Sequence, residues 1–196
     1  NSKFTELVPE PIKENYTFAG WYNGGKKFDF TTVPTGDVTL TAKWEKSKYT
    51  VQFVSDYGSF ADQPIEHGGT IDTDKLTIPD VDGYTFGGWY ADEKHTTEFD
   101  FTKPIKRNTT VYAKWTAKDY EVSFITEHGK TPTSQSVPYN KTADDPGELT
   151  EDGYTFGGWY TDDTYNKEFN FSTPITSDTT VYAKWTAKDY EVSFIT

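Results

Sequence analysis

The sequence predicts a mainly β fold, a small α+β module with little helix, repeated in tandem. A nine-residue aromatic stretch, Asp152 to Tyr160 (DGYTFGGWY), recurs unchanged at Asp82 to Tyr90 and as ENYTFAGWY at Glu14 to Tyr22. Each copy precedes an aromatic pair, Phe28/Phe30, Phe99/Phe101 or Phe169/Phe171, whose first ring stands 16 residues before a Lys-Trp at Trp44, Trp115 or Trp185. The surrounding segments alternate apolar and polar residues with the period of a half-buried strand. Trp115 and Trp185 are 70 residues apart, a period too long for a solenoid turn and suited to a small domain.

This phase divides the chain into a partial first repeat (1–45), a second (46–115), a third (116–185) and a remainder (186–196). The remainder is read as the opening strand of a truncated fourth repeat or the closing strand of the third. Small domains bury a low fraction of their surface, so each repeat needs bulky side chains to be stable. Six Trp within a 17% aromatic content supply them, which makes these rings core residues before anything else.

Taken in order, Leu7 to Pro11 carries two prolines and reads as an extended connector. Simple alternation would put Tyr16 and Phe18 on one face of a strand and Trp21 on the other. The glycines at Gly87-Gly88 and Gly157-Gly158 favour a bulge that redirects the Trp. Asn23-Gly24 is a tight-turn signal, replaced in the other copies by longer surface loops at 91–98 and 161–168. Val111 to Trp115 reads as a strand with Val111, Ala113 and Trp115 inward, matched by Val38 to Trp44 and Val181 to Trp185.

Four residues, Thr116 to Asp119, separate this strand from the next, Tyr120 to Phe124, whose counterpart is Tyr49 to Phe53. That spacing leaves no room for a flexible linker, so the repeats should form a stiffly joined, elongated array. A weaker strand follows at Ser134 to Tyr139. The connection after it could hold one helical turn, such as Thr73 to Leu76, with Pro146-Gly147 in the path of anything longer. The final segment, Thr186 to Thr196, is identical to Thr116 to Thr126. It should pack back on the third repeat or pair with the incomplete first repeat of another molecule.

Composition narrows the functional classes. Without Cys or Met there is no disulfide framework, thiolate nucleophile or zinc-thiolate site. A formal charge of -12 with Arg107 as the single arginine argues against a nucleic-acid partner. No run of 18 apolar residues is present, so no membrane insertion is expected within this sequence, and any signal or anchor is expected outside it.

The three histidines, His67, His95 and His128, fall in turns or loops and do not recur across all copies. Acid pairs such as Asp144/Asp145 and Asp162/Asp163 sit where Asp caps turns, and no twelve-residue calcium loop surrounds them. Gly157-Gly158 does not lead into a phosphate loop. Asn108 and Asn140 open glycosylation sequons that matter only in a eukaryotic secretory host. No catalytic, cofactor or metal residue is assigned. The repeated tyrosines Tyr90/Tyr160 and Tyr112/Tyr182 are candidate partner-binding residues, because repeated weak sites on a rigid array gain avidity. The competing reading is that they cover their own sheet or the domain junction.

Gly-Tyr-Thr-Phe-Gly-Gly-Trp-Tyr, then Phe-x-Phe, then Thr-Val-Tyr-Ala-Lys-Trp resembles the Listeria–Bacteroides repeat, the family containing the B-repeats of bacterial internalins. The resemblance covers 46–115 and 116–185 fully, 1–44 in part and the tail as a fragment. It implies a β-grasp, ubiquitin-like module of secreted or wall-anchored proteins of Gram-positive bacteria, with Tyr120–Phe124 beside Val181–Trp185. It implies no cofactor and transfers no catalytic residue. The function it implies is a non-catalytic repeat region of an internalin-like cell-surface adhesin, a semi-rigid stalk with auxiliary adhesion. A rival is a ligand-binding module contacting a host-cell protein or glycan through loops 91–98 and 161–168. A third reading is an accessory domain of a secreted carbohydrate-active enzyme. Pairing between molecules through Tyr190–Thr196 is the remaining partner expectation.

Overall fold

The computed structural model describes residues 10–195, so Leu7 to Pro9 of the proposed connector and Thr196 lie outside the described residues. The chain separates into two compact units, one from Asn1–Pro79 with Gly88–Lys114 and one from Asp80–Gly87 with Trp115–Thr196. The strands are β1 (Tyr16–Asn23), β2 (Lys26–Lys27), β3 (Thr41–Lys46), β4 (Lys48–Val54), β5 (Gln63–Glu66), β6 (Tyr84–Tyr90), β7 (Thr109–Ala117), β8 (Asp119–Ile125), β9 (Gln135–Pro138), β10 (Tyr154–Tyr160) and β11 (Thr179–Ala187). They form three sheets, with orders β2-β1-β3, β5-β4-β7-β6 and β10-β11-β8-β9. The fold is mainly β.

In the second and third repeats the opening strand lies beside the closing one and runs parallel to it. Val51 pairs with Thr109 and Phe53 with Val111, while Val122 pairs with Thr179 and Phe124 with Val181. Each opening strand also makes an antiparallel hairpin with the strand after it. Tyr120–Phe124 therefore sits where the resemblance placed it. The helix that the resemblance implies is represented in the second repeat only by one 3-10 turn, Thr73–Lys75, capped by Asp72, whose carboxylate accepts from the Asp74 amide at 3.2 Å. No helix occupies the matching stretch of the third repeat among the described residues.

A glutamine holds this crossover in place of a helix. Gln63 Nε2 donates to the Asp72 carbonyl and Gln63 Oε1 accepts from the Asp72 amide, both at 2.9 Å. Gln135 makes the same pair with Asp144 at 2.8 Å. The side-chain amide thus acts as one more backbone group at the sheet edge and satisfies a residue that would otherwise leave polar atoms unpaired.

The aromatic motif is a bulged strand. Pairing shifts register between Phe156 and Trp159 on β10, and between Phe18 and Gly20 on β1. Residues three apart on a regular strand point to opposite faces; one extra residue returns them to the same face. Phe156 accordingly meets Trp159 edge-on at 5.6 Å and Trp185 at 5.4 Å, and Phe18 meets Trp21 at 5.6 Å and Trp44 at 5.5 Å. Gly158 carries the bulge at φ 97° and Gly20 at φ 122°, a region that side chains beyond glycine disfavour.

Around this bulge the third repeat closes a core of Val122, Phe124, Val137, Ala143, Trp159, Ile175, Val181 and Ala183. Val51, Phe53, Ile71, Trp89, Ile105, Val111 and Ala113 are the corresponding buried residues of the first unit. Residues 10–45, the described part of the first repeat, contribute none.

The remainder of the chain departs from one expectation. Thr186 and Ala187 extend β11, but Tyr190, Val192, Phe194 and Ile195 belong to no strand and are 73%, 77%, 90% and 97% exposed. The tail does not pack back on the third repeat. The physical reason is occupancy: β11 already has β10 on one side and β8 on the other, so the position that this sequence fills elsewhere is taken.

Candidate functional site

A single residue joins successive repeats. Ser47 stands between β3 and β4, and Lys118 between β7 and β8. The Ser47 amide donates to the Asn15 carbonyl at 3.0 Å, and its carbonyl accepts from the His67 amide at 2.7 Å. Lys118 repeats this with Gly83 and Tyr139, both at 2.8 Å. One peptide group on each side of the joint is thus fixed by the repeat before and the next by the repeat after. At the second joint Tyr139 also packs against Tyr84 (5.6 Å) and Tyr120 (6.2 Å). Gly83, at φ 74°, lies so close to the Tyr139 ring that an added Cβ would collide with it.

The candidate tyrosines lie at the opposite end of the bulged strand. Tyr90 is only 9% exposed, so it belongs to the buried set and not to an open ladder. Lys114 Nζ lies 5.5 Å from its ring centre and the His95 ring 5.3 Å away. Tyr160 is half-buried, with Lys184 Nζ at 5.2 Å and Tyr165 at 5.7 Å. Tyr22 of the first repeat has the same arrangement with Lys43 at 4.9 Å. Tyr182 is half-buried directly across from Tyr160, and Tyr112 is half-buried on β7. In each repeat a lysine from the closing strand therefore covers a tyrosine of the bulged strand, a contact worth about 0.5–1 kcal/mol at an exposed site. Aligning the copies, with Lys one residue before each Trp, is the signal that would have found it.

The loops beside these tyrosines are built on an aspartate. Asp92 accepts from the Thr97 amide at 2.9 Å and the Thr96 amide at 3.1 Å, and Ala91 donates to Thr97 at 2.9 Å across the loop neck. Asp162 does the same for Thr164 and Asn166, with Thr161 closing onto Lys167 at 2.9 Å. His95 and Tyr165 take the same left-handed backbone position, at φ 54° and 57°. Partial desolvation acts to raise the Asp92 carboxyl, but the amides of Thr96 and Thr97 outweigh it and hold the group below the usual carboxylate range. The Thr164 hydroxyl, against an opposing desolvation, does so for Asp162.

Each histidine rests on an aromatic ring: His67 against Tyr49 at 5.9 Å, His95 against Tyr90, and His128 stacked on Tyr154 at 3.7 Å and edge-on to Trp185 at 6.0 Å. Their roles in packing and at the joint were missed in the sequence because they occupy different positions in different copies. Asp145 caps the Gly147 amide at 2.9 Å, as a turn acid does. No group of three His, Cys, Asp or Glu residues placed to hold a metal occurs among the described residues. No described helix is long and apolar enough to cross a membrane.

What recurs from copy to copy is a bulged aromatic strand, a lysine-covered tyrosine and a one-residue clamped joint. These define a tandem array of small β modules. The chain belongs to the Listeria-Bacteroides repeat domain family, which it matches over residues 1–43, 49–114 and 120–184. Among curated relatives it is 34% identical over 205 residues to a putative membrane protein of Evansella cellulosilytica, a match covering 99% of this chain and 30% of that protein. It is 35% identical to a putative Gly-rich membrane protein of the same organism, covering 93% of this chain and 22% of the relative. It is 33% identical to Internalin H of Listeria monocytogenes, covering 93% of this chain and 36% of the relative. The chain thus spans between a fifth and about a third of the length of these relatives.

Proposed function

We propose that this region is a non-catalytic, semi-rigid spacer in an extracellular bacterial surface protein, with adhesion as an auxiliary role. The observation that carries the reading is the clamped joint. A spacer must transmit position, and a joint whose two peptide groups are bonded to different repeats resists bending better than a free linker does. The likeness to Internalin H and to relatives named as membrane proteins supports placement at the cell surface.

The test is residual dipolar coupling across the joint at Lys118, using amides of 80–117 and 119–187. One alignment tensor should fit both sets, and inserting Gly-Ser-Gly-Ser after Lys118 should split it into two. Two independent tensors in the unaltered chain would remove the basis for a spacer.

A second reading, contact with a host-cell protein or glycan, is favoured by loops 91–98 and 161–168. Their backbones are pinned alike by Asp92 and Asp162, yet their sequences differ within otherwise matching modules. Loss of binding to host-cell surfaces on exchanging 161–168 for the Asn23-Gly24 turn, with thermal unfolding unchanged, would favour it. Unchanged binding would count against it.

A further inference from the structure

The turn before the closing strand is built alike in the second and third repeats but carries opposite charge. In the second repeat the Ile105 amide donates to the Gly69 carbonyl and the Ile105 carbonyl accepts from the Gly68 amide, both at 2.8 Å. The Thr109 hydroxyl donates to the Arg107 carbonyl at 3.0 Å, and Asn108 Oδ1 accepts from the Thr50 amide at 3.0 Å. In the third repeat Ile175 makes the same pair of bonds with Lys141 and Asn140, at 2.8 and 2.9 Å. There the Thr179 hydroxyl reaches the Ser177 carbonyl at 2.9 Å and Asp178 accepts from the Glu121 amide at 2.9 Å. On this shared frame residues 103–108 (KPIKRN) hold three cations and no acid, whereas 173–178 (TPITSD) and 32–37 (TVPTGD) each hold one acid and no cation. Asn108 makes the backbone contact of Asp178 without its charge, so the fold does not require the difference.

The three cations line a groove of 570 Å³, a size typical of small-molecule sites, together with Phe99, Pro104 and Thr110. Two carboxylates also line it, Glu98 and Asp100, and Lys103 lies 3.6 Å from Asp100, which offsets its charge. Lys106 and Arg107 are exposed and enter no ion pair among the described residues. We propose that this groove binds a glycan through one carboxylate-bearing sugar, with Arg107 and Lys106 holding the carboxylate and the sugar ring resting on Phe99 and Pro104.

The lining selects this class of ligand. Arg107, the single arginine of the chain, presents a planar fork that matches both oxygens of a carboxylate. A sugar ring offers an apolar face to Phe99 and Pro104, and hydroxyls to Thr110 and to the Asn108 amide nitrogen, whose partner oxygen is already engaged. A densely charged polymer fits less well. It would run on across a chain of formal charge -12, whereas one carboxylate meets chiefly the charges within about 8 Å, the screening length at physiological salt. The hydrogen bonds at Ile105, Arg107 and Asn108 fix the segment before a ligand arrives, which lowers the cost of ordering it. The inference deepens the second reading above, resting on it for a glycan as the partner and adding the class of sugar and the groove.

The test is an NMR titration of the full chain with sialyllactose, and with lactose as the neutral control. Amide shifts should appear within 97–110 and saturate with a Kd of about 1 mM or tighter, and lactose should cause none. K106T/R107S installs the third repeat's own residues on the same frame, so it should unfold at the parent's temperature while binding about tenfold or more weakly, the loss expected for hydrogen bonds to a charged group. R107K should weaken binding less, since it keeps the charge and loses the fork. T173K/T176K/S177R/D178N should create a second site, read as new shifts within 167–180. The absence of saturable shifts up to about 10 mM, a tenfold margin over the expected affinity, would overturn the proposal. So would equal shifts with lactose, parent-like binding by K106T/R107S, or displacement of sialyllactose by an equal concentration of inorganic phosphate or a heparin oligosaccharide, which would mean unselective attraction of anions. Host-cell binding that is lost on exchanging loop 161–168 but indifferent to K106T/R107S would leave the second reading standing and remove this one.

Discussion

The first and third repeats carry nearly the same aromatic motif, yet among the described residues only the third encloses a core. Both have the bulge, both bring Phe, Trp and Trp into edge contact, and both place a lysine over the motif tyrosine. What separates them is the opening hairpin. In the third repeat β8 and β9 contribute Val122, Phe124 and Val137, all buried, and give Val181 a partner on its second side. The described part of the first repeat holds no such hairpin, and there Trp21 is only half-buried where Trp159 is 4% exposed, and β3 is six residues long where β11 is nine. Aromatic contacts on one ribbon shape a strand pair; a sheet with a strand on each side of the closing strand makes a domain.

The largest effect that would probe this contrast is truncation of the motif tryptophan. Trp159→Ala should destabilise the third repeat by about 3–5 kcal/mol, the cost of emptying a packed aromatic site. Trp21→Ala should cost well under half of that. Chemical denaturation followed by residue-resolved NMR would separate the two, and equal losses would mean that the hairpin contributes little to the core.

A smaller effect is expected at the bulge. Gly158→Ala should cost about 1–2 kcal/mol from its left-handed backbone alone, because the nearest atom to the new Cβ, Glu168 Oε1, is at an ordinary 3.5 Å. At Gly20 the Lys27 side chain would also have to move, since its Cε would lie 2.8 Å away. Thermal unfolding of the two variants should therefore show the Gly20 change shifting the first repeat's local signals by at least as much.

The glutamine clamps sharpen the comparison between complete repeats. Gln63 is 5% exposed and Gln135 is half-buried. Gln63→Ala should cost about 1–3 kcal/mol because it strands the Asp72 amide and carbonyl, and Gln135→Ala about 0.5–1.5 kcal/mol.

The smallest effect is on acid sensitivity. Asp29 and Asp100 are held below the usual carboxylate value chiefly by the hydroxyls of Thr31 and Thr102. A carboxyl whose pKa is lower in the folded state adds stability above its unfolded value near 3.8, and that contribution disappears as pH falls through the folded value. The third repeat has Asn170 at this position, accepting from the Ser172 amide at 2.9 Å without titrating. Asn170→Asp should make this turn of the third repeat lose stability as pH falls below the unfolded carboxylate value near 3.8, where the parent turn does not. Both carboxyls are solvent-exposed, so the change should be small. Unfolding midpoints across that range are the check.

Much of this was legible in the sequence. The strands and the bulge followed from periodicity and paired glycines, because those signals are local and occur more than once. The single turn at Thr73 was within what the sequence allowed, since the connection has no long amphipathic period. The tyrosines were harder to place. Alternation sent Tyr90 outward, but it could not show that Lys114 and His95 close over the ring, since those contacts bring together residues distant along the chain. The backbone clamp at Ser47 and Lys118 has no side-chain signature at all, which is why only the short spacing pointed to a stiff joint. Of the two placements expected for the tail, packing back on the third repeat fails for a related reason. Its alternation describes a strand, but a strand needs a vacant neighbour, and the third repeat offers none beside β11.

The most direct measurement is amide hydrogen exchange on the dilute chain, comparing β3 with β11. If the opening hairpin completes the module, the amides of Val181 to Trp185 should exchange only through global unfolding of their repeat, while those of Thr41 to Trp44 exchange orders of magnitude faster through local opening. Equal protection in the two strands would contradict the account and show that the aromatic ribbon is stable without its hairpin.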